Sequence, residues 1–128
     1  MKNLNAILAA ATLIIILAAC SMLSGGPSRT VKSFYNHVDA GELDAAMKDL
    51  SQNAANGMGA EKMKAMLEVR TRAMKAKGGI SSIDIQKEET TGDIADVTGT
   101  IKYKNGDSEP FTCKLVKENG SWKIQQAA

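Results

Sequence analysis

Apolar residues first form one nearly continuous run and only later fall into periodic patterns. The run covers residues 6–17, with Lys2 ahead of it and the small residues Ala18 and Ala19 directly after it. A positive start, an apolar stretch of about a dozen residues and small residues at its end are typical of a secretory signal peptide. A bilayer-spanning helix needs about 20 apolar residues. The pattern therefore predicts a cleaved signal peptide over residues 1–19, and an uncleaved anchor helix is the weaker alternative.

Three segments after the run repeat apolar residues every three to four positions, which predicts amphipathic helices. They cover residues 28–40, with Ser28 as the N-cap, then residues 42–50, and then residues 60–77. The stretch between the second and third segments, residues 51–58, is rich in Asn, Ala and Gly and is predicted to be a loop. Three helices are therefore expected in the first half of the mature chain.

Beyond the third helix the apolar period changes from about 3.6 to 2, which predicts β-strands. The alternation is clear over residues 80–86, 95–103, 111–116 and 122–124. Asn-Gly pairs at 105–106 and 119–120 are typical of hairpin turns. The chain is therefore expected to be an α+β domain, in which three N-terminal helices pack on a four-strand antiparallel sheet.

The side to which each apolar residue points also predicts the strand registers. For the apolar residues to share one face, the hairpin after the second strand needs an odd loop, such as residues 104–106 with Gly106 in the left-handed conformation. The last hairpin needs an even loop, which Asn119-Gly120 supplies as a two-residue turn. These loops predict three cross-strand pairs: Phe111 with Gly99, Cys113 with Val97, and Ile124 with Leu115.

The end of the signal, Leu17-Ala18-Ala19-Cys20, resembles the lipobox of bacterial lipoproteins. The resemblance implies that the Cys20 thiol receives a diacylglycerol, that the signal is cut before it, and that the new amine is acylated. Several acyl chains, such as palmitate, would then hold the protein on a membrane. In Gram-negative lipoproteins, a residue such as Ser21 in place of aspartate implies the outer membrane, facing the periplasm. The alternative is an ordinary signal peptide followed by a chance cysteine.

The remaining chain, residues 20–128, has the length of one domain. Residues 20–29 are predicted to form the lipidated cysteine and a short tether, and residues 30–126 the domain. Once the signal is removed, 15 basic residues face 14 acidic ones, so charge gives no reason to expect a nucleic-acid partner. With Cys20 committed to lipid, Cys113 has no partner for an intramolecular disulfide.

Three stretches also carry a family resemblance: VKSFY at 31–35, GEL at 41–43, and KENGSWKI at 117–124. Together they resemble the start and the last hairpin of a nuclear-transport-factor-2-like (NTF2-like) domain. In particular, the chain is similar to the small bacterial lipoproteins that carry DUF4878, an uncharacterised branch of that superfamily. The resemblance covers about residues 27–126. It implies an NTF2-like cone, in which a curved sheet wraps around helices and leaves a pocket used for catalysis, binding or dimerisation.

Arg70, Tyr35 and Tyr103 are the candidates for the wall of such a pocket. Arg70 interrupts the apolar stripe of the third helix, where its charge could hold an anionic ligand. An ion-paired arginine with its stem packed on the core is the favoured alternative. The two tyrosines could present hydroxyls for proton transfer, as in enzymes of the superfamily. Core tyrosines with satisfied hydroxyls are the more common arrangement.

No catalytic set, metal cluster or cofactor is expected. His37 is the only histidine and lies away from the centre of the apolar face of the first helix, so a surface position is favoured. A lone histidine also makes no metal site. Cys113 is expected in the core as a small apolar residue. The strand carboxylates Asp84 and Asp96 fall on the face that is predicted to point outward.

These observations favour a lipid-anchored envelope protein whose domain binds a small ligand or an envelope protein without catalysis. The alternative is an NTF2-like enzyme of the isomerase, dehydratase or hydrolase type, which would use Tyr35 or Tyr103 together with a carboxylate. A third hypothesis, a structural partner in an envelope complex, predicts an exposed apolar patch on the sheet. A homodimer is left open, and analogy at the level of the fold cannot choose among these functions.

Overall fold

Four helices precede four strands in the part of the chain that the computed structural model describes, residues 26–128. The helices are α1 (Pro27–Ala40), α2 (Leu43–Lys48), α3 (Gln52–Asn56) and α4 (Ala60–Ala76), and the strands are β1 (Ile80–Thr91), β2 (Ile94–Tyr103), β3 (Ser108–Glu118) and β4 (Ser121–Ala127). The predicted signal peptide, Cys20 and the first part of the predicted tether lie outside the described residues. The last part of that tether, residues 27–29, already belongs to α1.

The start of α1 differs from the expectation of an N-cap at Ser28. The helix begins at Pro27, with Gly26 as the N-cap. Proline suits the first helical position, because its φ angle is already helical and the N–H that it lacks would have no partner there. Ser28 lies in the first turn instead, where its backbone N–H and its hydroxyl donate to Glu88 Oε1 at 2.9 and 2.7 Å. These two bonds attach the start of α1 to β1.

The prediction that residues 51–58 form only a loop is wrong, because they contain α3. Ser51 is the N-cap of this helix, and its hydroxyl oxygen accepts a hydrogen bond from the Ala54 N–H at 3.1 Å. A helix of five residues is too short to show an apolar period. The end of α2 is also earlier than predicted, because Leu50 forms a parallel bridge with Ile124 of β4.

The strands form one antiparallel sheet in the order β1-β2-β3-β4. The three predicted cross-strand pairs are confirmed: Phe111 with Gly99, Cys113 with Val97, and Ile124 with Leu115. Gly106 has φ 95°, and Asn119 and Gly120 have φ 52° and 78°, as the predicted turns require. A bulge at Gln125 interrupts the pairing of β4 with β3, where Leu115 pairs with Ile124 and Lys114 with Gln126.

The helices cover one face of the sheet, which confirms the α+β class. α1 packs on β1, β2 and β4, whereas α4 packs mainly on the other helices. Both layers contribute to the core, whose largest fully buried side chains are Met74, Ile101, Leu115, Ile124, Val31 and Val38. None of the helices between residues 26 and 128 is long and apolar enough to span a membrane. Because α4 is held by helices, a space remains between it and the strands β3 and β4.

Candidate functional site

A cavity of about 430 Å³ occupies the space between α4 and the strands β3 and β4. This volume lies within the range of about 300–1,000 Å³ that is usual for ligand pockets. Most of the wall is apolar, and its larger apolar side chains are Phe34, Leu50, Met63, Leu67, Phe111 and Ile124. The polar side chains of the wall are Arg70, Glu109 and Gln125, and Gln126, which pairs with the outward Lys114, borders the cavity beside them. The cavity therefore has an apolar body and a small polar region.

One side of α4 forms a wall of the cavity. Met63, Leu67 and Arg70 follow the i, i+4, i+7 spacing that places side chains on one helix face. Met66 also lines the cavity and is 55% exposed, so it lies at the rim. Next to this face, the buried Thr71 donates its hydroxyl to the carbonyl of Val38 in α1 at 2.6 Å. This bond holds α4 against α1 while its neighbouring face borders the cavity.

Arg70 is ion-paired with Glu109 of β3 at the cavity wall. Arg70 Nη2 donates to Glu109 Oε1 at 2.5 Å, and the Tyr103 hydroxyl donates to Glu109 Oε2 at 2.8 Å. The two charged side chains are 37% and 28% exposed, so water reaches the pair. Arg70 and Tyr35 line the cavity directly, whereas Tyr103 is connected to it through Glu109. The arginine is thus in the ion-paired arrangement that the sequence favours.

Burial and hydrogen bonding set the charges of this cluster. Burial alone would raise the pKa of Glu109, but the hydrogen bonds from Arg70 and Tyr103 outweigh burial and hold that pKa below its usual value. Burial and the bond to Glu109 raise the pKa of Tyr103 to about 12. Burial opposes the charge on Arg70, but Glu109 outweighs it and raises the arginine pKa. At neutral pH the cluster is an ion pair with a neutral tyrosine, which is poorly suited to proton transfer.

Tyr35 contributes to the cavity from α1. Its ring packs on Phe34 and Phe111, with centroid distances of 5.3 and 5.2 Å, and its hydroxyl lies 3.6 Å from Cys113 Sγ. Burial raises the pKa of Tyr35 far above its ordinary value and also raises the pKa of Cys113, which is fully buried. Since its hydroxyl is engaged in the core, Tyr35 serves the cavity mainly as an apolar wall.

His37 lies apart from the cavity. Its Nδ1 is 2.9 Å from Asp49 Oδ2, and the side chain is 32% exposed, so it is partly rather than fully at the surface. Ser33 Oγ donates to the same Asp49 oxygen at 3.1 Å and lies 3.4 Å from Nδ1. In a catalytic triad the serine and the carboxylate contact different ring nitrogens. Here both contact Nδ1, so the group cannot relay a proton in that way.

Glu109 and Gln125 are the site residues that the sequence analysis missed. The sequence did indicate the position of Glu109. It lies two and four positions before Phe111 and Cys113, so its side chain shares their face of β3. Gln125 had none, since strict alternation after the inward Ile124 would point it outward. The bulge at Gln125 brings it to the cavity, where its side-chain oxygen accepts a hydrogen bond from the Ser51 hydroxyl at 2.9 Å.

The remaining carboxylates lie elsewhere. Asp84 is half-exposed and pairs with Lys102 at 3.0 Å, and Asp96 is exposed, both away from the cavity lining. Within residues 26–128, no group of three or more His, Cys, Asp or Glu side chains could hold a metal ion.

A protein-family model matches residues 19–125 of the chain, and it describes a domain of unknown function, DUF4878. No curated protein matches the chain in sequence.

Several solved structures share the fold at low sequence identity. The "putative NTF2-like transpeptidase" from Campylobacter jejuni is 17% identical, with a TM-score of 0.71 over 80% of this chain and 99% of that one. A SEC-C motif containing protein from Rhodopseudomonas palustris is 12% identical, with a TM-score of 0.59 over 80% and 77% of the two chains. A DUF4783 family protein from Bacteroides ovatus is 15% identical, with a TM-score of 0.53 over 74% and 88%. At these identities the likeness shows the fold alone, and it confirms the NTF2-like architecture.

Proposed function

The chain belongs to the DUF4878 family, whose domain has no assigned function, and we propose that it is a lipid-anchored envelope protein whose domain binds a small ligand without catalysis. The observation that carries the binding function is the apolar cavity between α4 and the strands β3 and β4. The anchor and the envelope location are supported by the sequence ahead of residue 26.

The size and lining of the cavity support binding rather than a defect of packing. Protein interiors are close-packed, and voids much larger than a water molecule are few. The 430 Å³ of this cavity corresponds to roughly 14 water molecules at about 30 Å³ each. An apolar ligand would gain about 25 cal/mol for each Å² of apolar surface that it removes from water. Met63 and Met66 in the wall are flexible and can adapt to the shape of a ligand.

The lipid anchor rests on Leu17-Ala18-Ala19-Cys20. Between Cys20 and α1 only residues 21–26 remain, which span at most roughly 20 Å when extended. The domain would therefore work close to its membrane, and Ser21 favours the outer membrane. Replacement of Cys20 by Ala is expected to abolish metabolic labelling with an acyl probe, whereas the control Cys113→Ala should keep it. Continued labelling of Cys20→Ala would contradict the anchor.

An enzyme is the second candidate, because Tyr103 and Glu109 form a tyrosine–carboxylate pair beside the cavity. The pair has less support as an acid and a base, since the pKa of Glu109 is lowered and that of Tyr103 is raised to about 12. The name of the Campylobacter jejuni neighbour includes transpeptidase, a reaction that proceeds through an activated nucleophile. Cys113 is a weak candidate for one, because burial raises its pKa.

Docking of an envelope protein on the sheet has less support than a ligand in the cavity. Of the large apolar side chains exposed in residues 26–128, Met58, Met66 and Val69 lie on or just before α4, and Ile94 lies on the sheet. Three of these four exposed side chains therefore lie on or just before α4, and one lies on the strands. A homodimer stays a prediction, and the native mass spectrometry described next would detect it.

Native mass spectrometry tests the binding function. Residues 21–128, secreted into the periplasm and purified without detergent, are expected to carry an adduct of defined mass. Ala54→Phe, which places a ring in the cavity from α3, should reduce or lose the adduct and keep its circular dichroism spectrum. Ala73→Phe, at an exposed position of α4, is the matched control and should keep the adduct. A clean dimer without an adduct would contradict ligand binding and favour a protein partner.

A further inference from the structure

The charges around the cavity indicate which class of ligand it takes. Within residues 26–128, Arg70 and Glu109 are the charged side chains of the cavity lining, and they pair with each other. The next charges around the pair are Lys77, whose Nζ lies 4.8 Å from the centre of the Tyr103 ring, and Asp39. These two are again of opposite sign. The charged side chains of the polar region therefore balance one another.

An ionic ligand would find no side chain with an unpaired opposite charge there. A charged group that leaves water is stabilised only when an opposite charge and hydrogen bonds replace its hydration. Glu109 already compensates Arg70, so a carboxylate placed against the arginine would be repelled by the neighbouring glutamate. An ammonium group placed against Glu109 would meet the same repulsion from Arg70. Both kinds of ion are disfavoured.

The ion pair still has hydrogen-bonding capacity for a neutral group. An arginine side chain has five N–H donors, and in the described residues Arg70 uses one of them on Glu109. A carboxylate has about four lone-pair sites, and Glu109 accepts two hydrogen bonds. Gln125 adds a side-chain amide to the same wall, and its oxygen already accepts the hydrogen bond from the Ser51 hydroxyl. A ligand amide, which carries both a donor and an acceptor, fits this mixture of donors and acceptors.

We propose that the cavity takes a neutral amphiphile, an apolar chain that ends in an amide, and discriminates against carboxylates such as fatty acids. The chain lies among Phe34, Leu67 and Phe111, and the amide lies against Arg70 and Glu109. This inference rests on the proposed binding function and adds the ligand class to it.

Two probes of equal chain length and different charge, octanamide and octanoate, test the proposal at neutral pH. The full chain is labelled with ¹³C at the methionine methyl groups and held in phospholipid nanodiscs, and the aqueous concentration of each probe is measured. Met63 and Met66 line the cavity, whereas Met58 is exposed outside the lining and serves as an internal control. Octanamide is expected to shift the Met63 and Met66 signals with a Kd about tenfold or more below that of octanoate, and Met58 should not respond.

A variant that removes one charge of the ion pair tests the ligand preference in a second way. Glu109→Gln leaves the charge of Arg70 uncompensated, so it is expected to reverse the preference and to bind octanoate about tenfold more tightly than the wild type. Glu89→Gln is the matched control, because Glu89 belongs to an exposed ion pair with Lys87 on β1. It should keep the wild-type preference.

The possible outcomes distinguish the proposed ligand class from the proposed binding function. Octanoate that binds the wild-type protein as tightly as octanamide, or more tightly, would overturn the neutral-ligand inference and leave the binding function standing. If neither probe shifts the Met63 or Met66 signals up to its solubility limit, the binding function itself is overturned. Since both outcomes are read on the wild-type protein, the test does not depend on whether Glu109→Gln folds.

Discussion

Arg70 shows how a charged residue is accommodated in the apolar stripe of a helix. Its aliphatic stem can pack along the cavity wall while the guanidinium group pairs with Glu109 of β3. Tyr103 occupies the second carboxylate oxygen, so three side chains from α4, β2 and β3 meet at one point. A partly buried ion pair is weak evidence for stability, because desolvation offsets much of its attraction. Its clearer consequence is that each member alters the titration of the others.

Glu109→Gln is expected to lower the pKa of Tyr103. In the wild type, burial and then the hydrogen bond and charge of Glu109 raise that pKa to about 12, because each disfavours the phenolate. The variant removes the negative charge and leaves Arg70 uncompensated, so the pKa should move toward the ordinary tyrosine value of about 10. Tyrosinate absorbance against pH, in a Tyr35→Phe background, follows Tyr103 alone. Glu118→Gln is the control, and an unchanged titration in Glu109→Gln would contradict the cluster.

Gly99 is required by close packing within the sheet. A Cβ at this position would overlap with the Asp84 carbonyl oxygen. It would also lie only 2.7 Å from Cζ of Phe111, which is closer than van der Waals contact. Neither the backbone of β1 nor a buried ring can move away easily. Gly99→Ala is therefore expected to lower the free energy of unfolding by about 1–3 kcal/mol, as other overpacked core positions do. Chemical denaturation measures this. Thr98→Ala, on the opposite face, should cost clearly less, and equal losses would count against this explanation.

At the scale of elements, Ser51 connects α3 to β4. Its hydroxyl oxygen accepts from the Ala54 N–H, its hydroxyl donates to Gln125, and its backbone N–H donates to the Ile124 carbonyl at 2.8 Å. The residue is fully buried although it is polar. This set of bonds explains why the short α3 is stable beside the cavity.

Ser51→Ala is expected to destabilise the domain by about 1–2 kcal/mol, because it removes the N-cap of α3 and leaves Gln125 without its hydroxyl donor. The loss should appear in chemical denaturation at an unchanged m-value. Ser81→Ala, at an exposed position of β1, is the matched control and should change stability by less than about 0.5 kcal/mol. A loss no larger than that of Ser81→Ala would mean that the cap contributes little.

Some features of the fold could be predicted from the sequence and others could not, depending on whether a periodic pattern determines them. Strand alternation and turn length determine which residues face each other, so the pairing of Phe111 with Gly99 was predictable. The same alternation would also have placed Glu109 on the inner face, because it lies two positions before Phe111, but this residue was not predicted as part of the site. Alternation could not reveal the bulge at Gln125, because an extra residue in one strand leaves no periodic trace. α3 was missed for a similar reason, since five residues show no helical period.

At the scale of the whole molecule, the cavity depends on where α4 rests. Apolar periodicity identifies the side of a helix that is buried. In the apolar stripe of α4, Leu67 and Met74 are buried, whereas Met66 is 55% exposed. Periodicity does not give the distance between two layers. That distance follows from contacts such as the one between Thr71 and Val38, which hold α4 on α1 and leave space above β3 and β4. The cone was therefore predictable only through the family resemblance.

This arrangement predicts that α4 opens more easily than the sheet. The amides of β2 and β3 lie in central strands that are paired on both sides, whereas α4 packs mainly on helices and borders the cavity. Local opening costs less free energy where fewer buried contacts break. Hydrogen–deuterium exchange should therefore show protection factors in α4 that are about tenfold or more below those of β2 and β3.

α1 is the helical control, because it is of similar length to α4 and packs on three strands. If helical structure alone set the rate of exchange, α1 and α4 would exchange alike. If packing on the sheet sets it, α1 should be better protected than α4. A ligand in the cavity would add contacts between α4 and the strands, so octanamide should slow exchange in α4 and leave β2 unchanged. Equal protection of α4 and β2 in the free protein would instead mean that α4 opens only when the whole domain unfolds. The cavity would then be rigid, and its ligand would not enter by movement of α4.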